Sequence, residues 1–140
     1  MTTIRGEKMS ELLDLKSIEG RFSPHDSFLR TQLERRKVCL TTIQDPEAAA
    51  DYIGGIAEVP RSDEKWSISK ELFPGIKVHL LFRTDDEFGD RLEAFFSGNR
   101  VRDMPGEDLA DLAVAAVNHL IRYVRSELPG NRLPEICSRI

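Results

Sequence analysis

Between Pro105 and Leu128 the residues Leu109, Leu112, Ala113, Ala116, Val117, Leu120, Val124 and Leu128 recur at intervals of three and four. A helix gathers that spacing onto one stripe, and a stripe of this length has to be buried against another element. Glu107 and Asp108 fall at the positive end of the helix dipole, and Arg122 and Arg125 lie near its negative end. Leu128-Pro129-Gly130 supplies the stop. Whatever this chain folds into must therefore provide a long apolar surface to receive this helix.

The middle of the chain supplies a candidate. Trp66-Ser67-Ile68-Ser69-Lys70 alternates apolar and polar residues, and Ile76 to Phe82 does so again, with Ile76, Val78, Leu80 and Phe82 on one face. Phe73-Pro74-Gly75 carries turn chemistry between them. After an acidic turn, Leu92 to Phe96 resumes the alternation and Ser97-Gly98-Asn99 ends it. Connections this short favour antiparallel neighbours, because a parallel crossover takes about a dozen residues or more. The predicted fold is α+β: a small antiparallel sheet packed against the long C-terminal helix, which lies across its inner face.

The N-terminal part reads as helical. Ser10 precedes a short helix over Glu11 to Leu15 that Gly20 stops, and Ser23-Pro24 opens a second, with Phe28, Leu29 and Leu33 at helical spacing. Val38 to Ile43 is rich in β-branched residues and fits a strand, or a continuation of that helix. Asp45-Pro46-Glu47 opens a third helix, running to Gly54-Gly55. No repeat or linker divides the chain, and its 140 residues suit a single domain, 1–140.

A composition of 40% hydrophobic and 31% charged residues suits a globular protein. The net charge of −4, with Arg35-Arg36-Lys37 as the one dense basic cluster, argues against nucleic-acid binding. Met1 to Leu15 lacks the apolar core of a signal peptide, and no apolar run approaches the roughly 20 residues that span a bilayer. Cys39 and Cys137 stand far apart in no paired motif, which reads as two reduced thiols in a cytoplasmic protein, a long-range disulfide being the alternative.

Chemistry-bearing motifs are sparse. The turn Asp85-Asp86-Glu87-Phe88-Gly89-Asp90 gathers four carboxylates, but its spacing departs from that of a calcium loop, so a solvated hairpin connection explains it. Phe88 fits such a turn if it tucks back into the core and pins it. His25, His79 and His119 share no metal-ligand spacing, and His79 is expected on the outward face of its strand. There is no Gly-x-Ser-x-Gly elbow and no phosphate loop; Gly54-Gly55 is a helix stop. The residues thus name no catalytic centre, no metal ligand and no cofactor, and they point away from an enzyme. Phe95 and Phe96 are adjacent, so in a strand one of them leaves the main core. An outward aromatic marks a partner surface, for another protein or for a second copy in a homodimer. Asp85, Asp86, Glu87, Phe88 and Phe95 are the candidate interaction residues.

Leu72-Phe73-Pro74-Gly75, the strand to Phe82, Asp85-Asp86-Glu87-Phe88 and Pro105-Gly106-Glu107-Asp108 resemble an uncharacterised bacterial and archaeal family, domain of unknown function 3786, from Trp66 to Leu120. Some members of that family look fused to an iron–sulfur domain. The resemblance implies association with a redox or metallocofactor enzyme system, although this chain has no cysteine cluster of its own. The expected function is a non-catalytic accessory or protein-interaction domain. The alternatives are a small apolar-ligand-binding domain, for which the order of elements also resembles sterol-carrier-type domains, and a metal-dependent enzyme using the acidic turn.

Overall fold

In the computed structural model the protein is described over residues 12–61, 63–127 and 133–140. Helix α1 (Leu15–Glu19) and helix α2 (Pro24–Arg36) lead through a 3₁₀ turn (Lys37–Leu40) into α3 (Pro46–Ile53). Four strands follow: β1 (Ile56–Glu58), β2 (Glu64–Phe73), β3 (Ile76–Asp85) and β4 (Gly89–Ser97). The long helix α4 (Gly106–Glu127) and the short α5 (Glu135–Ser138) complete the chain. The strands form one antiparallel sheet in the order β1-β2-β3-β4, so the fold is α+β with the long C-terminal helix and an N-terminal helical part.

Local chemistry sets most of these boundaries. Ser23 accepts from the Asp26 N–H at 3.1 Å and Asp45 from the Ala48 N–H at 3.1 Å, each followed by proline in the first helical turn. Gly54, at φ 77°, closes α3 in the left-handed conformation that a side chain disfavours. At the start of α4 the Glu19 carboxylate lies against Gly106, where an added Cβ would collide with it. An anion at that point satisfies the helix N-terminus, and a bare Cα admits it.

The inner face of the sheet carries Trp66, Ile68, Val78, Leu80, Phe82, Leu92, Ala94 and Phe96 into one buried cluster with Leu29, Leu33, Ala49, Ile53 and the stripe of α4. Trp66 stacks on Phe82 with ring centroids 5.4 Å apart. Helix α4 buries Leu109, Ala113, Ala116, Val117, Leu120 and Val124 as its periodicity predicts, with Ala110, Ile121 and Tyr123 in addition, while Leu112 of the predicted stripe is only half-buried. It packs against α2 and α3, and Arg36 Nε ties α2 to it by donating to Asn118 Oδ1 at 2.8 Å.

Several expectations are corrected. Residues 12–14 are not helical: α1 starts after Asp14, and Leu13 pairs instead with Phe96 at the free edge of β4, N–H to carbonyl in both directions. The edge supplied unpaired backbone groups, and pairing satisfied them. Ser10 and Glu11, and the stop at Leu128-Pro129-Gly130, lie outside the described residues. Val38 to Ile43 is no strand; the alternative of a continuing helix holds as far as Leu40, where the 3₁₀ turn that prolongs α2 buries Cys39 and Leu40, and Ile43 is buried beyond it. The short edge strand β1 went unforeseen.

The cysteines differ most from expectation. Cys39 and Cys137 form a disulfide, both fully buried, with Cα atoms 5.6 Å apart across 98 residues of sequence. It holds α5 against the 3₁₀ turn. Arg125 reinforces the same junction by donating to the carbonyls of Cys137, Ser138 and Ile140. No helix among the described residues is long and apolar enough to cross a membrane.

Candidate functional site

The residues singled out in the sequence occupy two separate places. Asp85 to Phe88 form the tip of the β3–β4 hairpin, closed by the pairing of Asp85 with Gly89. Asp85 Oδ1 accepts from the N–H groups of Glu87 at 2.7 Å and Phe88 at 2.9 Å. These two bonds, the one from Phe88 first, hold the Asp85 carboxyl below its usual range. The carboxylate is thereby committed to the turn. Asp86 and Glu87 point into solvent. Phe88 is 73% exposed, so it does not tuck into the core; the two bonds to Asp85 hold the turn without it.

Phe95 lies elsewhere. It pairs with His79 six residues from Gly89, about 20 Å along the strand. The adjacent aromatics divide as alternation requires: Phe96 is completely buried on the inner face and Phe95 is half-buried on the outer one.

That outer face holds a polar constellation that the sequence did not announce. The register aligns Ile56, Ser69, His79 and Phe95 in one row across the four strands, and Glu58, Ser67, Leu81 and Glu93 in the next. Ser97 Oγ stands 2.7 Å from His79 Nε2, and Glu58 Oε1 stands 3.4 Å from His79 Nδ1. Glu58 belongs to β1 and His79 to β3, so this contact passes over β2. Strands are about 4.8 Å apart, so the carboxylate must reach across a full strand. It can do so because β2 presents only Ser67 and Ser69 there, both small and both buried. A larger residue at either place would block the lane.

His79 is 8% exposed. Burial pushes its pKa below the ordinary histidine value; Glu58 opposes that shift, while Lys77 and Arg61 add to it. At neutral pH the ring is therefore uncharged. One nitrogen donates and the other accepts, and the carboxylate selects Nδ1 as donor, which leaves Nε2 to accept from the Ser97 hydroxyl. Sequence reasoning placed His79 outward but missed its partners. Glu58 and Ser97 lie 21 and 18 residues from it, and nothing short of strand register relates them.

Next to this row, Arg83 donates to Glu93 Oε1 at 2.5 Å and to Asp63 Oδ1 at 2.6 Å, and lies 3.7 Å from Glu64 Oε2. Burial works against its charge, but Glu93, Asp63 and Glu64 outweigh burial and raise its pKa. Arg91 adds a second cation 3.8 Å from Asp63. Two guanidinium groups among three carboxylates leave one negative charge in excess, and Glu64 Oε2 is buried without a hydrogen-bond partner. Among the described residues, no group of three His, Cys, Asp or Glu side chains is arranged to hold a metal ion.

His119 sits on the flank of α4, its ring edge-on to Tyr52 at 5.4 Å. His25 Nδ1 lies 2.8 Å from Glu19 Oε1. A hollow of about 170 Å³ opens between α2 and β4, rimmed by Asp14, Asp26, Arg30, Glu34, Arg91 and Glu93. Its border is charged, and it does not lie between the sheet and α4.

Comparison with protein-family models, curated proteins and solved structures finds no match.

Proposed function

We propose that this chain is an accessory or protein-interaction domain whose docking surface centres on the β3–β4 hairpin tip. The observation that carries the reading is Phe88, a large aromatic ring held in solvent on a turn that two backbone hydrogen bonds to Asp85 keep ordered. Exposing the ring to water is unfavourable, and burying it in a partner recovers that cost. Because the turn is already ordered, little conformational entropy is lost on docking. Asp86 and Glu87 beside it favour a partner with a basic rim.

The kinship with domain of unknown function 3786 belongs to the same proposal, and with it the association with a redox or metallocofactor enzyme. Its support is the sequence resemblance alone, carried by Leu72 to Gly75, Asp85 to Phe88 and Pro105 to Asp108. The cytoplasmic location expected from the sequence loses part of its support, since it leaned on two reduced thiols and the cysteines are bridged.

The test is a photo-crosslinking residue placed at position 88 and expressed in the native host. A single crosslinked protein, lost when Asp85→Ala loosens the turn, is the expected result. A crosslink to a second copy of the chain identifies the homodimer. Recovery of uncrosslinked chain alone, at every expression level, overturns the reading.

A further inference from the structure

We propose that Ser97 is a nucleophilic hydroxyl, activated by His79 and oriented through Glu58, that takes the acyl group of small activated carboxylic esters. The inference goes beyond docking at the hairpin tip, which lies at the far end of β4.

The geometry has the order that acyl transfer needs. Ser97 Oγ meets His79 Nε2 at 2.7 Å, and the opposite ring nitrogen faces Glu58 Oε1 at 3.4 Å. A serine hydroxyl is a poor nucleophile until a base accepts its proton in the transition state, and a base needs a third group to fix its tautomer. The constellation is recognised by roles rather than by chain order. His79 meets the base requirement because its ring is uncharged at neutral pH. A solvated surface histidine bonded to a serine would not need a carboxylate drawn over an intervening strand to reach it. Here Ser67 and Ser69 leave the lane that makes this contact.

Ser97 is also accessible: it is the last residue of β4 and keeps part of its surface in solvent. The β3–β4 register ends at Ser97, so the Gly98 amide follows the nucleophile outside that pairing, in the chain position from which acyl-transfer serines draw an oxyanion donor. Lys77 pairs directly with Ser97 across the strands, so its ammonium is within reach of the developing oxyanion. Ile56 and Phe95, in the His79 row, offer apolar surface to a short acyl chain.

In the step itself, Ser97 Oγ bonds to the ester carbonyl carbon while its proton passes to His79 Nε2. The carbon–oxygen bond to the alcohol then breaks, and His79 returns the proton to the departing alkoxide. Water releases the acyl group by the same path, giving a carboxylic acid and free Ser97. With an alkyl fluorophosphonate the oxygen–phosphorus bond forms, the phosphorus–fluorine bond breaks, fluoride leaves, and the adduct stays.

The test is to label the folded full chain with a biotinylated alkyl fluorophosphonate, reading intact mass and the modified peptide. One adduct per chain, on Ser97, is expected, with a rate that rises with pH through the His79 titration. His79→Gln is expected to lower the rate by about 100-fold or more. Glu58→Gln should lower the rate and move the pH profile to lower pH, since the Glu58 charge raises the His79 pKa. p-Nitrophenyl acetate should release a burst of one p-nitrophenolate per chain, absent in Ser97→Ala. No adduct on the folded wild-type chain, an adduct at another residue, or a rate unaffected by pH overturns the proposal. The pH profile is read on wild-type protein, so poor folding of a variant does not blunt the test.

Discussion

His79 is the residue whose environment most constrains behaviour in solution. Its folded pKa lies below the ordinary 6.5, first through burial, so between those two values the unfolded chain holds a proton that the folded chain does not. Its contribution to stability is therefore complete above about 6.5 and falls as the pH drops through the folded value. Glu58, Lys77 and Arg61 face the same ring and set the width of that window. His119, also lowered by burial, acts in the same direction. Urea titrations across pH 4 to 8 are expected to show stability lost on the acid side, and the difference between wild type and His79→Gln isolates the share of His79. An unchanged difference across that range would contradict the burial of the neutral ring. Phe88 and Phe82 give a second contrast. Phe88→Ala should leave stability within about 0.5 kcal/mol, as for surface positions, whereas Phe82→Ala should cost about 3–5 kcal/mol. Both are phenylalanines on the same hairpin. Alternation places Phe82 in the core, but no local pattern tells whether a turn aromatic folds back or stands out.

Among the elements, α3 and α4 were the most legible, and each for a stated cause. The Asp45-Pro46 start and Gly54 stop of α3 are local chemistry, complete within a few residues. Asp45→Ala is expected to destabilise the fold by about 1 kcal/mol in a thermal melt, since the Ala48 N–H then loses its acceptor. Helix α4 declared itself through a stripe long enough to dominate any alternative. The segment Val38 to Ile43 did not. Its β-branched residues prefer a strand, yet burying Cys39, Leu40 and Ile43 together outweighs a propensity worth a fraction of a kcal/mol per residue. Edge strand β1 was unreadable because three residues carry too little periodicity to register.

For the whole molecule, the disulfide is the largest single constraint that spacing did not reveal. It closes 98 residues and ties the C-terminal α5 to the N-terminal helical part. Reduction, or Cys137→Ser, is expected to remove about 2–5 kcal/mol, measured as a shift in the denaturant midpoint. Because both sulfurs are fully buried, reduction of the native protein should be slow and should track opening of the α5 segment. Rapid quantitative reduction without added denaturant would show that the junction is not closed as described.

The chain by itself determined the fold class, the inner face of the sheet, the long helix that covers it, two of the helix starts, and the outward direction of His79. Each follows from periodicity or from capping within a few residues, where one residue acts on its immediate neighbours. The Cys39–Cys137 bridge, the Leu13–Phe96 pairing and the line of Glu58, His79 and Ser97 were decided only in three dimensions. Strand register and helix packing bring together residues separated by 18 to 98 positions in the chain. No interaction between near neighbours in the chain encodes that proximity.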